Sequence, residues 1–162
     1  MGAWGPHSFE NDRALDWLGD YLDSPSDDRL RATFDPPSRG KPPGLIAKLF
    51  GGQAKSSAVP PDEEQVLAAA EVIAAMRGHP LADAPDGFAR LTLRPPPDDL
   101  VSAAIRGVDL ILDESSELNS LWRGADDFST AHRGGLPPEE DSEDYLAWLA
   151  GLRDLRERLT RP

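Results

Sequence analysis

Apolar residues recur every three or four positions along most of this chain, the spacing of helices that bury one face. The first stripe predicts a helix from Asn11 to Asp23, with Asn11 as its N-cap. Ser26 caps a second, shorter helix that ends before Pro36, since proline cannot continue a helix. The amino-terminal third of the chain is therefore predicted to be helical.

Three longer stripes follow. A helix is predicted over residues 61–77, with Pro61 in its first turn and Gly78 after its end. The strongest stripe follows Pro97, and a last helix opens at Pro138 and ends in a group of arginines. A single helical turn capped by Asp86 and a short helix over residues 118–122 lie between them. The chain is predicted to be one all-α domain, a bundle of five or six helices.

A Pro/Gly-rich insert at about residues 35–60 interrupts this pattern. It contains all three lysines of the protein and Arg39. Residues 36–60 contain no acidic residue. Its centre, residues 44–50, can form about two helical turns that dock on a partner or on the protein's own acidic surface. The alternative is a loop that folds onto the neighbouring helices. The apolar positions of this centre are Leu45, Ile46, Leu49 and Phe50.

The amino-terminal segment carries two large aromatic residues, Trp4 and Phe9. Each offers on the order of 150–250 Å² of apolar surface, which favours burial over exposure. Gly2 and Gly5 flank the tryptophan, and glycine reaches positive φ without steric cost. We therefore expect this segment to be anchored, with the indole of Trp4 in the core.

A small ligand site is the second interpretation of the same segment. His7, Glu10 and Asp12 would build it near the amino group, with Glu71 added from the helix over residues 61–77. Glu71 falls among apolar neighbours, and a buried ionised carboxylate must find a partner. Alternatively, Glu71 lies at the edge of the apolar stripe and reaches solvent.

Charge and composition narrow the function classes. The 162 residues include 29 acidic and 17 basic ones, a formal charge of −12, which repels nucleic acid phosphates and anionic lipid. The absence of cysteine excludes disulfides, thiolate nucleophiles and thiolate zinc sites. With no apolar run of 18 residues and no signal-peptide pattern, we expect a cytoplasmic protein without a membrane span. The excess of arginine over lysine indicates a bacterium with GC-rich DNA.

Motifs for catalysis or cofactor binding are missing. His7, His79 and His132 are isolated, and no phosphate-binding glycine loop or nucleophile elbow occurs. The sequence therefore favours a protein without catalytic activity, metal or cofactor. One cluster of carboxylates suggests a metal site, but we interpret its members as helix caps. The cluster consists of Asp109, Asp113, Glu114 and Glu117.

The opening residues carry a resemblance. Residues 1–5 (MGAWG), 9–12 (FEND) and 14–18 (ALDWL) resemble the opening signature of the bacterial domain-of-unknown-function family 4259. Residues 68–75 and 116–122 are similar to later parts of the family pattern, whereas about residues 35–60 depart from it. The resemblance implies a helical fold and leaves the function open, because the family has no activity to carry over.

The sequence thus predicts a protein-interaction module. One sharper hypothesis is an acidic immunity or antitoxin-type protein that masks a basic effector, because complementary charge speeds association. The rival is an enzyme or small-ligand-binding protein that uses the amino-terminal site. A third alternative is a homo-oligomer with its interface at residues 45–50.

Overall fold

The computed structural model describes residues 5–35, 61–124 and 142–162 of the chain. Six α-helices and one 3₁₀ helix occupy these ranges, which contain no strand, so the all-α prediction is confirmed. The α-helices are α1 (Asp12–Asp23), α2 (Asp27–Phe34), α3 (Glu63–Met76), α4 (Asp98–Leu112), α5 (Glu117–Trp122) and α6 (Glu143–Thr160), and the 3₁₀ helix is Phe88–Leu93. None of these helices is long and apolar enough to cross a bilayer.

Polar side chains start five of these six helices. In each case the N-cap oxygen accepts a hydrogen bond from the backbone N–H three residues later, which satisfies a donor that the helix itself leaves open. Only α4, preceded by Pro97, has no such side-chain cap among the described helices. The capping residues are Asn11, Ser26, Asp62, Ser116 and Ser142.

Three predicted helix starts were wrong. Helix α3 begins at Glu63 rather than Pro61, because the side chain of Asp62 serves as its N-cap. The last helix begins at Glu143 after its cap Ser142, five residues beyond the predicted Pro138. Asp86 does not cap the 3₁₀ helix: Gly87 precedes it with φ of 99°, a backbone conformation that favours glycine.

Helix α3 is the centre of the bundle. Every residue from Val66 to Met76 is buried, and α1, α2, α4, α6 and the 3₁₀ helix all pack against this helix. Alanines on its sides let neighbouring backbones approach closely. A Cβ atom at Gly107 of α4 would lie 2.7 Å from Cγ1 of Val66, so a larger residue there would force Val66 or the helix to shift.

Two predicted segments fall partly or wholly outside the described residues. Trp4 lies outside them, so the anchoring of its indole remains a prediction. Phe9, by contrast, is buried and packs edge-to-face on Phe88 with ring centroids 5.4 Å apart. The apolar residues Leu45, Ile46, Leu49 and Phe50 also lie outside, and their docking remains a prediction.

Candidate functional site

A buried ion pair joins the central helix to the last helix. Nη1 and Nη2 of Arg158 donate to Oε2 and Oε1 of Glu71 at 2.8 and 2.9 Å. Glu71 is 1% exposed, so the interpretation that its carboxylate reaches solvent was wrong: an arginine meets it inside the bundle. Arg158 belongs to the group of arginines predicted at the end of the last helix, and its side chain turns inward.

Further hydrogen bonds complete this pair. Ser8 donates to Oε1 of Glu71 at 3.0 Å, and Arg158 donates to the carbonyl of His79 at 3.2 Å and to Asp154 at 2.6 Å. Burial disfavours the guanidinium cation, but the hydrogen bonds and charges of Glu71 and Asp154 leave the pKa of Arg158 above its ordinary value. The network ties the amino-terminal segment to α3 and α6 and satisfies both buried charges.

A small cavity lies between the amino-terminal segment and α3. Its volume is about 30 Å³, and His7, Ser8, Glu64 and Glu71 contribute to its lining. Such a space holds about one water molecule and is far below the roughly 300–1,000 Å³ of ligand pockets. The network around Glu71 can hold charge and one water, and the described cavity has no room for a substrate.

The four predicted ligand-binding residues are only partly brought together. His7 and Glu71 share the small cavity, although His7 is largely exposed. Glu10 and Asp12 do not line it. The carboxylate of Glu10 instead accepts a hydrogen bond from the backbone N–H of His7 at 2.9 Å, and Asp12 is the first residue of α1.

The pKa of Glu64 makes this cavity sensitive to pH. Burial raises the pKa of the Glu64 carboxyl, the neighbouring charge of Asp62 raises it further, and the charge of Arg13 lowers it. The pKa of Glu64 is therefore higher in the folded protein than in the unfolded chain. The contribution of Glu64 to stability is fully present below the pKa of the unfolded chain, and it is lost as the pH rises through the pKa of the folded protein. Ionised Glu64 therefore disfavours folding at neutral pH.

We expect Glu64→Gln to raise the melting temperature at pH 7. The gain should shrink as the pH falls through the ordinary range of a glutamate, because Glu64 is then protonated in the folded wild type. Thermal unfolding followed by circular dichroism across this pH range measures the effect. Glu143→Gln, at the exposed first turn of α6, is the control and should show no gain. An equal gain at all pH values would contradict the assignment.

A second, larger concavity lies on another side of α3. This groove, with a volume of about 520 Å³, is bordered by α2, the start of α3, α4 and the turn before α5. We call it the α2–α4 groove. Leu110 stands in it 67% exposed, the most exposed of the large apolar side chains in the described residues. Its apolar lining residues are Phe34, Val66, Leu100, Ala103, Gly107, Leu110 and Ile111, with Pro61 at one end.

Most charged side chains around the α2–α4 groove already form ion pairs or hydrogen bonds. Arg31 bridges Asp28 and Asp99 at 3.2 and 2.9 Å, and this contact lowers the pKa of Asp99. Oε2 of Glu63 accepts hydrogen bonds from the hydroxyl of Ser116 at 3.0 Å and from the backbone N–H of Leu118 at 2.6 Å.

Two charged side chains of the groove have no partner among the described residues. The side chains of Asp35 and Arg106 have no ion pair or hydrogen bond with any other described residue. The groove thus combines an apolar floor, fixed ion pairs and one free charge of each sign. This arrangement fits an apolar segment that also carries charged side chains.

Sequence patterns missed the groove because it forms between helices that are distant in the chain. One signal was nevertheless present. The buried stripe of α4 consists of Leu100, Ala104, Val108 and Ile111, and Leu110 is an apolar residue outside this stripe. A large apolar side chain off the buried face indicates a second apolar surface.

The acidic cluster has other partners than a metal. Asp109 pairs with Arg156, and Glu114 with Arg123 at 3.4 Å. Asp113 alone acts as a turn acceptor, from the backbone N–H and the hydroxyl of Ser115. Over residues 5–35, 61–124 and 142–162, no group of three or more His, Asp or Glu side chains is placed to hold a metal ion.

Comparison with known protein families identifies a match over most of the chain. A family model described as a domain of unknown function, DUF4259, matches residues 2–133. No curated protein and no solved structure matches the chain.

Proposed function

Because this chain belongs to the family DUF4259, whose description names no activity, we propose a function from the α2–α4 groove. The protein is an interaction module that binds an apolar segment of another protein in the α2–α4 groove. The observation that carries the proposal is Leu110, two-thirds exposed in an apolar groove of about 520 Å³. Burying one such side chain contributes about 1.5–3 kcal/mol, which makes Leu110 a candidate anchor point for a short amphipathic helix.

Charge favours a basic partner. Apart from residues 36–60, which hold four cations and no acid, the chain has 13 basic and 29 acidic residues, a formal charge of −16. Such a field speeds the approach of cations and repels nucleic acids and anionic membranes. An immunity or antitoxin-type protein that masks a basic effector in the bacterial cytoplasm is the specific form of this proposal.

The test measures binding with two matched variants. Basic proteins retained by the immobilised protein at low ionic strength are identified, purified and titrated against wild type, Leu110→Asp and Leu146→Asp. Leu146 is also exposed, but it lies on α6 outside the groove. We expect Leu110→Asp to weaken binding roughly 10- to 100-fold, which corresponds to the loss of one buried leucine. Leu146→Asp should bind like wild type.

Salt provides a second measurement on the same complex. Affinity should fall steeply between about 50 mM and about 0.5 M salt, because the screening length shortens several-fold over this range. A partner that binds all three proteins equally, or whose affinity ignores salt, would contradict the proposal.

The rival proposal, a small-ligand or enzymatic site, has less support. It needs His7, Glu10, Asp12 and Glu71 to face one pocket, and the described cavity at two of them has about 30 Å³. A ligand larger than water would have to displace the amino-terminal segment from Glu71.

A further inference from the structure

The α2–α4 groove lies where the chain leaves and re-enters the described residues. Asp35 and Pro61 both line it, and they are the residues on either side of residues 36–60. The 25 residues between them therefore start and finish at the groove. Any apolar part of this segment is tethered next to an exposed apolar floor.

We infer that residues 44–50 of this same chain occupy the α2–α4 groove when no partner is bound. The inference concerns the regulation of the site on which the proposed function rests. The segment is an internal competitor, and a partner must displace it. Its four apolar side chains, Leu45, Ile46, Leu49 and Phe50, match the apolar floor around Leu110 in chemistry.

The lengths of the two connecting arms permit this contact. Residues 36–43 and 51–60 are eight and ten residues long, and they span at most about 29 Å and about 36 Å when extended. Helix α4, which borders the groove, is only about 22 Å long. The tether also holds the segment at an effective concentration on the order of millimolar, so an intrinsic affinity of that order fills about half of the grooves.

Charge supports the same occupant. Lys48 lies among the apolar residues of the segment, and residues 36–60 contain no acid. The groove offers Asp35, which no other described residue pairs, beside the carboxylates of Glu63 and Asp99. A cation carried by residues 44–50 can therefore meet an open carboxylate, whereas an acidic segment would face Arg106 and the already paired Arg31.

The chain lacks cysteine, which makes a site-specific test straightforward. Lys48→Cys in the full-length chain is given a nitroxide spin label, and amide signals are recorded before and after reduction of the label. We expect the oxidised label to broaden the amides of Ala103, Arg106 and Leu110. The same label combined with Leu110→Asp, or with Leu45→Asp and Phe50→Asp, should lose most of this broadening while circular dichroism still shows a folded protein.

A mixed sample separates contact within one chain from contact between two copies. Isotope-labelled chain without the spin label is mixed with spin-labelled chain without the isotope. Broadening of the groove amides in this sample would mean that a second copy fills the groove and would overturn the inference. Absence of broadening in the singly labelled chain would also overturn it. No partner is present in either measurement, so the inference can fail while partner binding succeeds, and the reverse.

Discussion

Replacing Arg158 with methionine is expected to lower the free energy of unfolding by about 3–5 kcal/mol, the usual effect of breaking a buried ion pair. Methionine keeps most of the packing of the arginine stem but leaves the carboxylate of Glu71 inside the bundle with only Ser8 as a donor. A domain of ordinary stability has about 5–15 kcal/mol in total, so much of the margin disappears. Urea unfolding followed by circular dichroism and tryptophan fluorescence measures the loss.

Two variants make this result specific. Arg153→Met removes an exposed arginine five residues earlier on α6 and should change stability by no more than about 0.5 kcal/mol. The double variant Glu71→Leu and Arg158→Met should recover much of the loss, because apolar residues of similar volume often replace a buried ion pair at little cost. If Arg158→Met and Arg153→Met were equally mild, the buried pair would not contribute to stability as described.

Replacing Asn119 with alanine is expected to cost about 2–3 kcal/mol, because several buried polar groups lose their partner together. The side-chain amide of Asn119 donates to the carbonyls of Ile111 and Leu112 at 3.2 and 3.1 Å, which closes the end of α4. Its oxygen accepts from the hydroxyl of Tyr145 on α6 at 3.0 Å. One side chain of α5 thus holds two other helices, and urea unfolding again measures its contribution.

Tyr145→Phe and Ser120→Ala are the matched comparisons. The first removes one of the three hydrogen bonds and should cost about 1 kcal/mol. The second removes a neighbouring polar side chain for which the described residues show no partner, and it should be nearly neutral. Equal losses for Asn119→Ala and Ser120→Ala would show that the hydrogen bonds of Asn119 contribute little.

Local signals in the sequence were sufficient to predict that these segments form helices. Asn11 and Ser26 were identified as caps because a cap depends on residues within one turn, and their hydrogen bonds confirm it. The predicted start at Pro61 failed by two residues because proline at the first turn and aspartate as N-cap compete over the same short stretch.

Contacts between residues that are distant in the chain could not be predicted from the sequence. Glu71 was recognised as a carboxylate in apolar surroundings, but its partner lies 87 positions away. Fourteen arginines were available, and the dipole of α6 already accounted for the arginines at its end without a buried partner. The α2–α4 groove depends in the same way on how α2, α3 and α4 pack, which periodicity does not specify.

The family model ends at residue 133, whereas α6 begins at Glu143. That helix supplies Arg158 to Glu71 and Tyr145 to Asn119, and it covers one side of α3. A recombinant fragment cut at the family boundary would retain the buried carboxylate without its guanidinium. The matched segment therefore stops before a helix that completes the core, and expression trials should include α6.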